Sequence, residues 1–258
     1  MGLFEILRVS SDCYLCGCSV NSSPKKGFHA PSSAPIICHY CHQHLPQSSE
    51  TCISCGLPLN KTAFSNTSTN ASTSQNLNAN IPCGECLKQS PPFNRTLSGF
   101  HYEPPINEFI TQLKYSAQFQ LLPLLCDYLS NNIKENYLDR VLPDALLPVP
   151  LHPDKLVQRG FNQSQLIAAQ LAKTFDLPII SKGIKRVKRT NAQSGLNSVE
   201  RKSNVKDAFS IEVRLSNHVA IVDDVVTTGM TVSELAKQAR THGATQIDVW
   251  CLARAYDL

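Results

Sequence analysis

The chain has 258 residues, 42% of them hydrophobic, and a formal net charge of +4. That length suits one medium domain plus a small one, and the near balance of charge excludes a chain that is polycationic throughout. No apolar run approaches the ~18 residues that a membrane span needs. The first residues, MGLFEILRVSSD, lack a basic start, a long apolar stretch and a small-residue cleavage site, so no signal peptide is expected. The expectation is a soluble cytoplasmic protein.

Residues 1–92 read as a metal-organised module. Of eleven cysteines, eight fall into four C-x-x-C pairs: Cys13/Cys16, Cys38/Cys41, Cys52/Cys55 and Cys83/Cys86. Two cysteines on one tight turn present both thiolates to one tetrahedral metal, and two such turns close a four-sulfur shell. Four pairs therefore predict two structural Zn²⁺ sites. Apolar residues are scarce here, and metal ligation supplies folding energy that a small core does not. Sequential pairing, as in two successive zinc ribbons, closes shorter loops and is favoured on that ground. Interleaved pairing into a cross-brace stays open. Cys18, His39, His42 and His44 flank these pairs and are alternative ligands. The polar, low-complexity run near 60–80 predicts a disordered insertion, and residues 22–35 a milder loop.

Residues 93–258 have the composition of an α/β domain. A strand is expected near 97–103, then a helix opening after Pro104 and Pro105, with Ile106, Phe109, Ile110 and Leu113 as its apolar stripe. Residues 121–133 repeat a helical pattern, with Cys126 as a plain core residue. ALLPVPLH, 145–152, reads as a buried strand ending in a proline-stiffened loop. A helix capped by Asn162 follows to Phe175. A strand near 178–187 comes next, then a segment with eight Lys or Arg and one acid, Glu200, between Lys182 and Lys206. Strands at 219–222 and 247–253, the latter burying Cys251, complete an alternating series. Such a series implies a parallel sheet with helices packed around it.

The stretch VAIVDDVVTTGMT, 219–231, carries the most chemistry. An apolar strand runs into Asp223 and Asp224, then into a Thr/Gly-rich loop, then into a helix over 230–242 stopped by Gly243. Backbone amides, Thr hydroxyls and a helix N-terminus around one concavity suit a phosphate monoester. Ionised carboxylates only accept hydrogen bonds, which suits the vicinal hydroxyls of a ribose. Together these features predict a phosphorylated sugar as ligand.

This pattern resembles the 5-phosphoribosyl-1-pyrophosphate (PRPP) motif of type I phosphoribosyltransferases. The resemblance implies that Asp223 and Asp224 hold the ribose and act in catalysis. It also implies that Thr227, Thr228, Gly229, Met230 and Thr231 wrap the 5′-phosphate. The C-x-x-C pairs, LKY at 113–115, PVPLH at 148–152, RGFNQS at 159–164 and the DDVVTTG loop together resemble the ComF family, in its GntX-like branch. That resemblance covers nearly the whole chain, apart from 60–80 and parts of 20–35. It implies a type I phosphoribosyltransferase-like domain behind a zinc module, linked to bacterial competence and the use of external DNA.

In the corresponding pyrophosphate loop, Lys155 and Arg159 would supply positive charge, although Pro148 and Pro150 remove two amide donors. The basic 185–209 segment matches the flexible lid that closes over PRPP, with Arg189, Thr190, Gln193, Arg201 and Asn204 as its candidates. Mg²⁺ would accompany PRPP, and pyrophosphate would be displaced by an acceptor that the sequence does not identify. The alternative is a non-catalytic PRPP sensor that binds single-stranded DNA or the DNA-uptake machinery, through the zinc ribbons or residues 182–206.

Overall fold

The computed structural model describes residues 12–20, 37–59, 81–188 and 206–256. The insertion expected near 60–80, the whole 22–35 loop and all five lid candidates, Arg189, Thr190, Gln193, Arg201 and Asn204, lie outside the described residues.

Two short helices, α1 (His39–Gln43) and α2 (Gly84–Lys88), belong to the cysteine-rich part. After them come β1 (Arg95–His101), α3 (Ile106–Tyr115), α4 (Leu121–Asn136), β2 (Ala145–Pro148), α5 (Pro153–Arg159) and α6 (Gln163–Phe175). The chain continues through β3 (Ile184–Arg186), β4 (Phe209–Ile211), β5 (His218–Val226), α7 (Met230–Thr241) and β6 (Gln246–Arg254). β1, β6, β5 and β2 form a parallel four-stranded sheet in that order. The expected parallel sheet flanked by helices is the architecture found.

Alternation along the central strands sorts their side chains to two faces. Ala220, Val222, Trp250 and Leu252 join the apolar cluster under α3, α4 and α6. Val219, Ile221, Val249 and Cys251 join a second cluster with α7 and the β3–β4 pair. Both faces are covered, which is why these strands read as continuous apolar runs. Cys126 and Cys251 are buried core residues, as expected. The cysteine-rich part is not separate from this packing. Leu45 belongs to the first cluster, and Thr96 of β1 bonds to the carbonyls of Ile53 and Ser54 at 2.9 and 2.8 Å.

Four local expectations are corrected. The strand expected to stop at Val222 runs on to Val226, because β6 continues to pair with it as far as Arg254. The strand expected over 145–152 ends at Pro148. Residues 153–159, expected as loop, form α5, with Pro153 in its first turn and Gly160 in the left-handed region at its end. Those are favoured positions for both residues. The strand expected over 178–187 is split into a bridge from Ile179 to Leu146 and the short β3, which pairs antiparallel with β4.

At the amino ends of the strands, Asp248 is fully buried. Its carboxylate meets His218 Nε2 at 2.7 Å and accepts from the Tyr137 hydroxyl, with Arg95 Nε at 3.9 Å. Arg95 also lies over the Tyr137 ring at 5.0 Å. Removing one member of a buried charged network leaves the others uncompensated. Asp248→Ala is therefore expected to cost about 3–5 kcal/mol of unfolding free energy in urea titrations. A loss below about 1 kcal/mol, typical of an exposed pair, would contradict this role.

Candidate functional site

The eight cysteines assemble into two tetrads. Cys13, Cys16, Cys38 and Cys41 form one, and Cys52, Cys55, Cys83 and Cys86 the other, with ligand atoms of each set within 4.8 Å of one another. Pairing is thus sequential, and neither tetrad takes in Cys18 or a histidine. His44 Nδ1 instead meets the Tyr40 carbonyl at 2.7 Å. A Zn–S bond of about 2.3 Å sets a tetrahedral S···S edge of about 3.8 Å. Cys16 and Cys38 sulfurs are 3.7 Å apart, and those of Cys55 and Cys83 3.8 Å. The Cys38 amide donates to the Cys13 sulfur at 3.3 Å, and the Cys83 amide to the Cys52 sulfur at 3.0 Å. These donors favour thiolates, so charge and geometry both fit zinc.

The acid pair lies at the carboxyl end of β5. β2 last pairs with β5 at Pro148↔Val222, so Asp223 and Asp224 follow where that side of the strand is left open. There the acids' own side chains meet main-chain amides. Asp223 Oδ1 accepts from the Asp224 N–H at 2.9 Å, and Asp224 Oδ1 from the Val225 N–H at 2.6 Å. Ser164, in the first turn of α6, donates its hydroxyl to Asp223 Oδ1 at 3.0 Å. Lys114 Nζ, from the last turn of α3, lies 3.0 Å from Asp224 Oδ1.

Charge is unequally compensated across the pair. Burial and the Asp224 carboxylate push the Asp223 pKa up to about 7, against the opposing pull of Lys114. Burial disfavours the Lys114 ammonium, but Asp224 overcomes this and holds its pKa above the usual lysine range. Arg186, on β3, feels the same carboxylate. Burial lowers its pKa and Asp223 opposes the shift.

Thr227 and Thr228 lead into Gly229, at φ 74°, which is the N-cap of α7 and provides no side-chain cap. A Cβ added at Gly229 would meet nothing within 4 Å, so the loop borders open space. The first amides of α7, from Met230 and Thr231 onward, start here without side-chain capping, which suits an anion. Arg254 fixes the loop from behind. Its buried guanidinium donates to the carbonyls of Cys55 at 2.7 Å and Val226 at 2.9 Å, and to those of Thr227 and Ala255. One side chain thus joins a cysteine knuckle to the Thr/Gly loop.

The pyrophosphate candidates fall on α5. Arg159 Nη1 donates to Gln163 Oε1 at 2.7 Å, and the guanidinium lies 5.1 Å from the Tyr115 ring centroid. Lys155 is half-buried on the same helix. A cavity of about 600 Å³ lies between this region and β3, lined by Pro148, Pro150, His152, Asn162, Ile184 and Arg186 among others. Sequence reasoning did not select Lys114, Ser164, Arg186 or Arg254. Lys114 carried a readable signal, since it stands four residues after Ile110, in line with the helix's apolar stripe.

These features define a protein class: a parallel α/β domain with an acid pair at a strand's carboxyl end, fronted by two four-cysteine knuckles. No family model matches the chain. Competence protein F of Haemophilus influenzae is 38% identical over 179 residues, covering 67% of this chain and 78% of that protein. DNA utilization protein YhgH of Escherichia coli is 33% identical over 221 residues, 84% of this chain and 90% of that one. Given these relatives, the chain belongs to the ComF family, which includes competence protein F and YhgH. A purine phosphoribosyltransferase structure from Pyrococcus horikoshii overlaps 52% of this chain and 72% of that one, at a TM-score of 0.33 and 20% identity. That likeness is too loose to bear on the site.

Two measurements follow from this geometry. Metal analysis of the purified chain is expected to give two zinc ions, and Cys16→Ser should retain the second tetrad's ion. A single ion in the unaltered chain would refute the two-tetrad reading. The second concerns Asp223, whose pKa rises from 3.8 to about 7 on folding. A raised pKa gives stability that is full below pH ~4 and lost as pH climbs to ~7. Asp223→Asn should therefore melt higher than the parent at pH 8 and close to it at pH 4, with about 2–4 °C gained per kcal/mol relieved. An equal gap at both pH values would rule out the raised pKa.

Proposed function

We propose that the chain binds PRPP at the acid pair and the loop behind it, as a phosphoribosyltransferase-type member of the ComF family. The observation that carries this reading is the joining of Asp223 and Asp224, on an open strand end, to an uncapped helix start at Gly229. In this reading the carboxylates accept from the ribose 2′ and 3′ hydroxyls. Thr227, Thr228, Gly229, Met230 and Thr231 surround the 5′-phosphate. Lys155 and Arg159 face the pyrophosphate, and Arg189, Gln193 and Arg201 belong to the lid. The antiparallel β3–β4 pair, which flanks residues 189–205, supports a lid there. We also propose residues 1–92 and 93–258 as the two structural units.

The reaction proposed is attack by an acceptor on C1′ of PRPP. The bond from C1′ to the pyrophosphate oxygen breaks, and its electron pair leaves with pyrophosphate. Positive charge grows on C1′ and the ring oxygen, and the acid pair below the ribose favours it. A pKa of about 7 also suits Asp223 to receive the acceptor's proton. Mg²⁺ bound with PRPP supplies charge neutralisation on the leaving group. The acid pair would offer it two carboxylates, one already paired with Lys114, so substrate oxygens and water would form most of its shell.

The second reading, a non-catalytic PRPP-sensing factor that contacts DNA, is favoured by the relatives' names, competence protein F and DNA utilization protein. Pyrophosphate release from PRPP across a panel of nucleobases separates the two. Turnover supports the enzyme, and binding without turnover supports the sensor. Calorimetry with PRPP and Mg²⁺ tests what they share. Asp223→Asn combined with Asp224→Asn is expected to abolish the binding heat while zinc content stays at the parent value. PRPP affinity that survives the double change would end both readings.

A further inference from the structure

We propose that the cavity between the β2–α5 connection and β3 binds a small apolar carboxylic acid, with Arg186 as the anchor of the carboxylate. The cavity holds about 600 Å³, within the usual range of small-molecule sites and large enough for a two-ring compound. Its apolar walls are Pro148, Pro150, Leu151, Pro153, Leu156 and Ile184. The site stands apart from the PRPP reading. Pro153 and Leu156 of α5 line the cavity, and their three-residue spacing puts them on one stripe of the helix. Lys155 and Arg159, the pyrophosphate candidates, are four residues apart on another stripe and do not line it.

The backbone of this wall is a poor cradle for an anion. Pro148, Pro150 and Pro153 have no N–H to give. The Val149 amide donates to the Val222 carbonyl at 2.9 Å, and that of Leu156 to the His152 carbonyl at 3.0 Å. The Asp154 amide donates to His152 Nδ1 at 3.3 Å. The wall therefore presents mainly hydrocarbon, which favours an apolar body over pyrophosphate.

Charge at the cavity is of one sign. His152, Lys185 and Arg186 line it, and among the described residues no acid does. Lys185 is exposed and pairs with Glu212 at 2.9 Å, while His152 caps α5. Arg186 is half-buried and set by the β3–β4 pairing. It stands opposite Phe209 in register, with its guanidinium 5.5 Å from that ring's centroid. The planar fork of a guanidinium matches a carboxylate with two bonds, and its five N–H groups leave others for contacts within the protein. A phosphate dianion would lose more hydration against the same apolar walls, which selects a singly charged head. An apolar body and one carboxylate together match what the cavity presents.

The test uses the zinc-loaded full chain and calorimetry without PRPP. The probes are 2-naphthoate, its neutral amide 2-naphthamide, and inorganic pyrophosphate as competitor. The parent is expected to bind one naphthoate, and the amide about tenfold more weakly or worse. Arg186→Met, which keeps an apolar stem, should bring naphthoate down to the affinity of the amide. Leu156→Trp, at an exposed position on the cavity wall, should fill the space and abolish binding of both, with zinc content and melting temperature at the parent values. The proposal is overturned if naphthoate does not bind the parent, if the amide binds as well, or if both variants bind like the parent. Displacement of naphthoate by equimolar pyrophosphate would give the cavity to that anion and also overturn it. The comparison of acid with amide is made on the unaltered chain, so a variant that fails to fold leaves the proposal open to refutation. Loss of PRPP binding ends the PRPP reading and leaves this one standing, so the two failures are distinct.

Discussion

Two consecutive carboxylates in a half-closed site repel each other, and the carboxyl end of β5 is arranged around that repulsion. Lys114 compensates one of them directly. Asp223 receives a Ser164 hydroxyl and a main-chain amide instead, and neither carries a full charge. The result is a carboxyl with a pKa near neutrality, short of donors and of positive charge. A ligand that brings hydroxyl donors and develops cationic character supplies both. In the reaction proposed above, Asp223 is where differential stabilisation of a transition state would be useful.

The strand end is also held from the other side. Arg254 is a buried cation whose guanidinium is met by four main-chain carbonyls. Burial pushes its pKa down, and the carbonyl dipoles replace much of its lost hydration. Those carbonyls come from the end of β5, the Thr/Gly loop, the segment after β6 and Cys55. The second tetrad therefore does more than fold its own knuckle. It fixes the carbonyl that helps orient the guanidinium, which in turn fixes Val226 and Thr227 at the start of the loop.

Much of this was legible in the sequence. A two-residue spacing between cysteines imposes a local turn, so the four ligand pairs could be read from one dimension, and the shorter loops of sequential pairing favoured the two tetrads that form. The apolar runs of β5 and β6 announced strands buried on both faces. The acid pair and the Thr/Gly loop announced their chemistry by adjacency. What escaped had other causes. Residues 153–159 were read as part of a loop, yet Pro153 sits where a helix accepts it and Gly160 where a helix ends. The end of β5 was misjudged because charge marked a boundary that pairing with β6 overrides. Ser164 lies 59 residues from Asp223 and Arg254 lies 28 from Val226, and only the fold brings these groups together.

The same geometry explains why Lys114 of α3 and Ser164 of α6 can reach the acid pair. β2 ends at Pro148, where Val149 still donates to the Val222 carbonyl at 2.9 Å, and Pro150 has no amide to extend the ladder. Had β2 run on beside β5, its amides would have covered the Asp223 edge and completed the hydrogen bonding there. Its early stop leaves room for the turn before α6, which brings Asn162 to the Val149 carbonyl at 3.0 Å and Ser164 to Asp223. The prolines that remove donors from the expected pyrophosphate loop thus have a positive role. They end one strand early enough that the carboxylates of its neighbour remain open on one side.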